Sequence, residues 1–205
     1  MNKGFFLVLA LAFHLTLLNY VQAQGRFDAS LFGGLNVCQV DGDGAGRYNH
    51  PGLRAGIGTS FPLNDDIRSP WRMVIELAYT QKGSHINENN GEISLQYVEL
   101  PLMLAYCTQD GHLRFSAGVA PAVKVGCKVT FGGATDSNQE ALFRTFDWLP
   151  VTLAAEYLFT DHLGVSVRYQ NSMISVYDGI GAYRIVRSNH GAFNRLLSFG
   201  LTYRL

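Results

Sequence analysis

Strict alternation of apolar and polar residues is the feature that most constrains how this chain folds. It is clearest in the last segment, FNRLLSFGLTYRL, where every second residue from Leu197 to Leu205 is apolar and the intervening residues are polar or small. Successive side chains of a β-strand point to opposite faces, so a period of two predicts a strand with one apolar face. Such alternation recurs in nearly every segment after residue 26, whereas the helical period of 3.6 residues is nearly absent. The chain is therefore predicted to be all-β.

Eight segments of roughly ten residues carry this alternation, which is the length a tilted strand needs to cross a bilayer. Their connections are predicted to alternate in length. The short ones are PLNDDIRSP, CTQDG and TDH, and the long ones are 38–51, 84–91, 126–145 and 174–191. Outer-membrane barrels have short periplasmic turns and longer outer loops. We therefore predict an eight-stranded antiparallel up-and-down transmembrane β-barrel in the outer membrane of a Gram-negative bacterium, with both termini periplasmic.

The N-terminal segment has the features of a signal peptide. Lys3 precedes a short apolar run, and Val21 and Ala23 provide small residues at the spacing of a cleavage site. The run is short for a membrane-spanning helix, which disfavours a membrane anchor. We expect a cleaved signal peptide helix at 1–23 and a single barrel domain at 24–205.

Charge and composition agree with a membrane location. The chain has 16 basic and 16 acidic residues, so a formal net charge of +0 gives no electrostatic reason to expect nucleic acid as a partner. Charged residues make up only 16%, where about 25% is usual in soluble proteins. Outer-membrane lipid and the machinery that inserts barrels are the expected partners.

Aromatic residues on the apolar face sort to the two ends of the predicted strands. Two aromatic girdles are typical of barrels that span a bilayer. The expected girdle at the other rim consists of Tyr79, Tyr169 and Phe193. The expected periplasmic girdle consists of Phe61, Tyr106, Phe159 and Tyr203.

Charged residues fall on the opposite face of the same strands, which would point into the barrel. An eight-stranded barrel is just wide enough to be filled by its own side chains. Opposite charges on neighbouring strands would then interlock as a structural ion-pair network, which we favour over a selective channel or a proton path. The predicted lumen network, with Lys82 near one rim, consists of Arg54, Glu76, Glu99, Arg114, Glu156, Arg168 and Arg204.

Two adjacent segments resemble a known family. The segment from Glu76 ends in Lys82 and Gly83, and the next strand reads aromatic-x-Glu-x-Pro-Leu at Tyr97, Glu99, Pro101 and Leu102. With the glycine-rich first strands, this resembles the PorT-like outer-membrane β-barrel proteins of Bacteroidetes-type bacteria. Pro101 cannot donate to a sheet ladder, and we expect it to mark a β-bulge.

The resemblance implies an outer-membrane barrel and allows a role as an accessory factor in protein secretion. More generally, we expect a non-enzymatic structural, surface-binding or secretion-accessory protein. Apolar residues in 126–145 and 174–191 would either bind a partner at the cell surface or fold over the barrel mouth. Two alternatives remain. One is a soluble exported barrel that binds a small apolar ligand, as lipocalins do, with the two faces reversed; the other is a lipid-modifying enzyme of the outer membrane.

No motif in the chain carries a catalytic or cofactor-binding arrangement. His85 and His190 are candidates only for the enzyme alternative, because no serine, histidine and acid are spaced as a catalytic triad. The three cysteines form no CxxC pair, so no metal or cofactor is expected. Cys38 and Cys127 fall on the same side of the barrel, and a bridge between them is left open.

Overall fold

The computed structural model describes residues 27–42, 48–86, 91–178 and 191–205, and within them the chain is an antiparallel, barrel-like sheet of twelve strands. The predicted signal peptide at 1–23 lies outside the described residues. One short helix, α1, spans Ser137–Ala141, and Asp136 caps its first turn by accepting from the amides of Asn138 and Gln139. The strands are β1 (Asp28–Asp41), β2 (His50–Pro62), β3 (Trp71–Ile86), β4 (Gly91–Glu99), β5 (Leu102–Cys107), β6 (Leu113–Val119), β7 (Ala122–Phe131), β8 (Ala134–Thr135), β9 (Phe146–Asp147), β10 (Pro150–Leu158), β11 (Leu163–Ser172) and β12 (Phe193–Arg204).

The strand pairings form a closed ring. Following hydrogen-bonded neighbours, the order is β1, β2, β3, β5, β6, β10, β11 and β12, and β12 pairs with β1 again. β4 extends the same wall beyond β5, and β7 extends it beyond β6. The predicted all-β antiparallel barrel is therefore confirmed, and its ring contains eight strands.

The ring closes with a stagger of ten residues. From Val151, cross-strand partners lead in one direction through Val119, Leu102, Ile75 and Thr59 to Ala29 on β1. In the other direction, the partners lead through Asn171 and Arg195 to Gln39 on β1. Ala29 and Gln39 are ten residues apart, which is the shear of the barrel, and a shear of this size goes with strands tilted by roughly 40°.

The predicted bulge at Pro101 is wrong. Ala78 pairs with Glu99 and Ile75 with Leu102, so the register of β3 against its neighbour is unchanged across the proline. The Pro101 carbonyl still accepts from the amide of Glu76 at 3.0 Å, and only the bond that a proline cannot donate is missing. The register instead shifts between Gln96 and Tyr97, where β4 faces β7.

The predicted alternation of loop lengths is also wrong in detail. β3 continues to Ile86 and β4 begins at Gly91, so their connection is shorter than the turn from Pro62 to Trp71, which was predicted to be short. β1 likewise continues to Asp41, into the segment predicted as a loop. The region 126–145 contains most of β7, β8 and α1 instead of a continuous loop. We call the end of the barrel that carries Asp28 and Arg204 the terminal end, and the other end the loop end.

Glycine at position 118 is required by a close approach of two strands. A Cβ atom at Gly118 would lie 2.0 Å from the carbonyl oxygen of Leu102, whereas a Cβ at Gly33 would meet nothing within 4 Å. We expect Gly118→Ala to destabilise the barrel by about 1–3 kcal/mol through overpacking. Gly33→Ala should stabilise it by at most about 1 kcal/mol. Urea unfolding of both variants in lipid vesicles checks these two predictions. Equal urea midpoints for Gly118→Ala and Gly33→Ala would contradict them.

Candidate functional site

The outer surface of the barrel carries a continuous apolar belt. The side chains that point outward from the strands are exposed aliphatic and aromatic residues, among them Leu35, Ile57, Leu77, Leu104 and Leu153. From Phe27, just before β1, the belt runs to Val37, and ten residues at about 3.3 Å each and a tilt of about 40° rise roughly 25 Å along the barrel axis. The apolar band of outer-membrane barrels has this height.

Aromatic side chains border the belt at the terminal end. Phe27 and Phe61 lie with ring centroids 5.4 Å apart, and Trp71 meets Tyr106 edge-on at 5.2 Å. The predicted girdle residues Phe61, Tyr106, Phe159 and Tyr203 all lie at this end, at or next to the ends of β2, β5, β10 and β12.

At the other edge of the belt the two faces of the wall exchange character. Tyr79 and Tyr169 lie at this edge. Phe193 is the first residue of β12 and lies four residues before Leu197, the partner of Tyr169, and therefore beyond the edge. Beyond the edge, the outward side chains are polar or charged. They include Gln81, His85, Glu92, Lys128 and Arg195.

Inside the belt, the lumen contains buried ion pairs in three groups. Nearest the terminal end, Glu156 accepts from Arg114 at 2.7 Å and from Arg204 at 2.8 Å. These three side chains come from β6, β10 and β12, so the group ties together strands that are not all adjacent.

The second group lies in the middle of the lumen and is centred on Glu76. Its carboxylate accepts from Arg54 at 2.7 Å and from Arg168 at 2.8 Å, and Arg168 reaches both oxygens. The three side chains are 6–8% exposed, so the charges are compensated by each other instead of by water. Arg54 also lies over the ring of Phe32, with its Cζ 4.2 Å from the ring centroid.

The third group is centred on Glu99 and lies at the edge of the belt nearer the loop end. Glu99 pairs with Lys82 at 2.7 Å and accepts from Thr80 at 2.9 Å and from Gln170 at 3.0 Å. The Lys82 ammonium lies 5.0 Å from the ring centroid of Tyr97, which is fully buried. The structure thus places all seven predicted lumen residues inside the barrel and pairs each with an opposite charge.

The ionic part of the lumen has almost no free space. A void of about 20 Å³ remains among the described residues that surround Arg54, Glu76, Arg114 and Arg168. That is close to the space one water molecule needs. The pairing of mixed charges therefore fills this part of the barrel.

An apolar cluster between the Glu99 layer and the loop end was missed by the sequence analysis. Here inward side chains such as Val40 of β1, Ile93 of β4 and Val129 of β7 are buried and apolar, whereas outward ones such as His85, Glu92 and Lys128 are polar. The sequence pattern that could have predicted this cluster is the same alternation of apolar and polar residues, but here the apolar face points inward. The cluster consists of Val40, Ile86, Ile93, Leu95, Tyr97, Ala122, Val129, Phe143, Val176, Tyr177 and Ala192.

Two loops close this apolar cluster. Phe143 is buried and meets Tyr177 edge-on at 5.0 Å, and the Lys124 ammonium donates to the carbonyl of Phe143. Arg144 pairs with Asp178, and that hydrogen bond raises the pKa of the exposed guanidinium. The apolar residues of 126–145 were expected either to bind a partner or to fold over the barrel mouth. Phe143 folds over the mouth. Phe131 remains exposed, and the predicted apolar residues 180–186 lie outside the described residues.

The described residues bring no metal-binding cluster together. The Ser84 hydroxyl is buried and donates to Asn49, while the side chain of His85 points outward. Among the described residues there is no group of three His, Cys, Asp or Glu side chains that could hold a metal ion. His190 lies outside them. The three cysteines are free, so the possible bridge between Cys38 and Cys127 is absent.

None of the described helical segments has the length and hydropathy needed to cross a membrane.

An apolar belt bordered by aromatic rings, around a lumen of interlocked charges, defines the class of outer-membrane β-barrels. A sequence model of the outer membrane protein beta-barrel domain matches residues 22–178, so the chain belongs to this family. Membership supports a location in the outer membrane. No curated protein matches the chain by sequence.

Solved structures of outer-membrane proteins match the chain at low sequence identity. Ail, the attachment invasion locus protein of Yersinia pestis, is 13% identical with a TM-score of 0.51, and the match covers 88% of this chain and 99% of Ail. Neisserial surface protein A matches with 12% identity and a TM-score of 0.46 over 89% of this chain and 98% of its own. The outer membrane protein OprG of Pseudomonas aeruginosa matches with 14% identity and a TM-score of 0.43 over 88% of this chain and 96% of its own.

Proposed function

We propose that this protein is an eight-stranded transmembrane barrel of the outer membrane, non-enzymatic and closed to solutes, which serves as an anchored platform for a protein partner. Both termini are periplasmic, and the loop end faces the cell exterior. The observation that carries the proposal is the combination of a roughly 25 Å apolar belt with an ionic lumen in which a void of about 20 Å³ remains around Arg54, Glu76 and Arg168. Such a barrel is held in lipid but has no bore for transport.

The faces of the barrel argue against a soluble, ligand-binding alternative. A lipocalin-like barrel would bury the aliphatic set and expose Arg54, Glu76 and Arg168. Here those three side chains are buried, and Leu35, Ile57 and the other belt residues are exposed. A surface with this much contiguous apolar area needs lipid or a partner to cover it.

The loop end is the surface that supports partner binding. The wall there rises beyond the belt, and Phe131, Trp148 and Met173 are exposed large apolar side chains near this mouth. Exposed apolar side chains at strand ends and on connecting segments are typical of binding surfaces. The partner would contact the regions 126–145 and 174–191.

A role as a secretion accessory is the second candidate within this class. The motif at Tyr97, Glu99, Pro101 and Leu102 supports it, because it resembles the PorT-like proteins. In this structure Tyr97 and Glu99 belong to the third lumen group, in which Glu99 pairs with Lys82. Leu102 lies on the apolar belt. The motif therefore has a structural role in the barrel wall, whichever partner the loop end binds.

Single cysteines at the two ends test both orientation and partner binding. Asn138 at the loop end and Gln109 at the terminal end are exposed. On intact cells we expect a membrane-impermeant maleimide to label Asn138→Cys and not Gln109→Cys, above the background of the unmodified protein. Equal labelling, or the reverse, would refute the proposed orientation.

The same cysteines then carry a photocrosslinker. We expect Asn138→Cys to crosslink one defined protein and Gln109→Cys to leave it uncaptured. A surface-receptor role predicts a partner outside the cell, whereas a secretion role predicts a component of an export complex. The platform role would be refuted if neither position captured a protein while the barrel was intact by its heat-dependent gel shift.

A further inference from the structure

A pocket of about 420 Å³ opens at the terminal end, beneath the ionic lumen. Two turns form its rim, one between β2 and β3 and the other between β5 and β6. Its floor is formed by the ends of β1, β3, β5 and β12. The size lies within the usual range for pockets that hold small ligands.

The described lining of this pocket has a surplus of positive charge. Three arginines, Arg68, Arg72 and Arg204, face one carboxylate, Asp28. The remaining lining residues are neutral, and among them Thr108 and Gln109 offer polar groups. A planar guanidinium binds oxyanions with paired hydrogen bonds, and three of them around one pocket favour a ligand with several negative oxygens.

Two of these arginines are already held in place. Arg72 pairs with Asp28 at 2.7 Å and donates to the hydroxyl and the carbonyl of Ser60 at 3.3 and 3.2 Å. Arg204 is anchored by Glu156, while its Nε is buried without a hydrogen-bond partner among the described residues. Pre-positioned donors bind an anion at a lower entropic cost than flexible ones do.

The third arginine, Arg68, has a guanidinium group that is free to bind a ligand. Arg68 is exposed in the turn after β2, where its backbone amide donates to Asp66, but its guanidinium makes no ion pair with any described residue. It lines the pocket from the turn between β2 and β3. Arg68 is therefore the side chain that can be changed without breaking a structural pair.

The position of the pocket brings it next to the bilayer edge. Tyr106 both lines the pocket and belongs to the aromatic girdle, where its ring packs against Trp71. Aromatic girdles lie at the level of lipid headgroups. A phosphate group is therefore the anion most available at this site.

We propose that the terminal-end pocket binds a phosphate-bearing group, supplied by a lipid headgroup or by a soluble phosphate. Arg72 and Arg204 hold the phosphate oxygens against the floor of the pocket. Arg68 closes over the group from the turn.

The test uses the folded barrel in a neutral, phosphate-free detergent. Inorganic phosphate is titrated at constant ionic strength, with chloride as the balancing anion, while the unfolding temperature is followed. We expect a saturable rise for the natural protein and a dissociation constant about tenfold weaker for Arg68→Gln, since a hydrogen bond to a charged group is lost. Arg144→Gln, which removes an arginine at the loop end, should respond as the natural protein does.

Native mass spectrometry of the protein extracted from membranes separates the two sources. A retained phospholipid that inorganic phosphate displaces, and that Arg68→Gln fails to retain, identifies a lipid headgroup. Saturable phosphate binding without a retained lipid identifies a soluble ligand. The proposal is overturned if phosphate neither stabilises the barrel saturably nor displaces a lipid, or if Arg68→Gln responds to phosphate as the natural protein does.

Discussion

Glu76→Ala is expected to lower the free energy of unfolding by about 3–5 kcal/mol, because it leaves two arginines buried without a counter-charge. Glu76 accepts from Arg54 at 2.7 Å and from Arg168 at 2.8 Å in a part of the lumen with almost no room for water. The remaining guanidinium groups would repel each other. Urea unfolding in lipid vesicles, followed by the heat-dependent gel shift, measures the loss.

Glu92→Ala is the matched control for this prediction. Glu92 lies on the wall beyond the belt with its side chain half exposed, and its oxygen is 3.7 Å from the ring of His50. Because Glu92 itself is half exposed and its contact with His50 is long, the contact contributes little, and a change within about 0.5 kcal/mol is expected. Comparable losses for Glu76→Ala and Glu92→Ala would show that the central group does not stabilise the barrel.

A further variant separates charge from packing. Replacing the central group together, as Arg54→Met, Glu76→Leu and Arg168→Met, should recover much of the stability lost in Glu76→Ala, because buried ion groups can be replaced by apolar side chains of similar volume. If the triple variant is no more stable than Glu76→Ala, packing and not stranded charge explains the loss.

Leu77→Arg is expected to destabilise the barrel in a bilayer by about 2–4 kcal/mol, the cost of a cation on the lipid face near the middle of the membrane. Leu77 points outward from β3, pairs with Ile57 and is 49% exposed in the protein alone. Folding into vesicles of defined thickness, monitored against urea concentration, measures the effect.

His85→Arg provides the comparison on the same face of the same strand. His85 lies eight residues further along β3, beyond the belt, where the neighbouring outward side chains are polar. A change close to zero is expected there, since cations cost little near or outside the interface. If both variants lose the same stability, the belt is not in contact with lipid.

Much of the lumen could be predicted from sequence because the underlying physics is local. Period-two alternation determines which side chains share a face, so the inward direction of Arg54, Glu76 and Arg168 follows from the strand alone. The aromatic residues at the terminal end, such as Tyr106 and Tyr203, follow from the same alternation and from where each strand ends.

The pairing of these charges could not be predicted, because it depends on how the sheet closes. The ten-residue stagger decides which acid on one strand meets which base across the barrel, as for Glu76 of β3 and Arg168 of β11. No local sequence pattern records the stagger of distant strands.

The sequence by itself determined the two-faced strands, their antiparallel barrel and the set of charges that faces inward. Only the tertiary structure decided the partners of those charges, the unshifted register at Pro101 and the exchange of faces beyond the belt, where Ile93 and Leu95 turn into a closed apolar cluster. Alternation shows that two faces differ, but the surrounding medium decides which one points inward. That medium changes from lipid to water along a single strand, so the same alternation is used in opposite senses at its two ends.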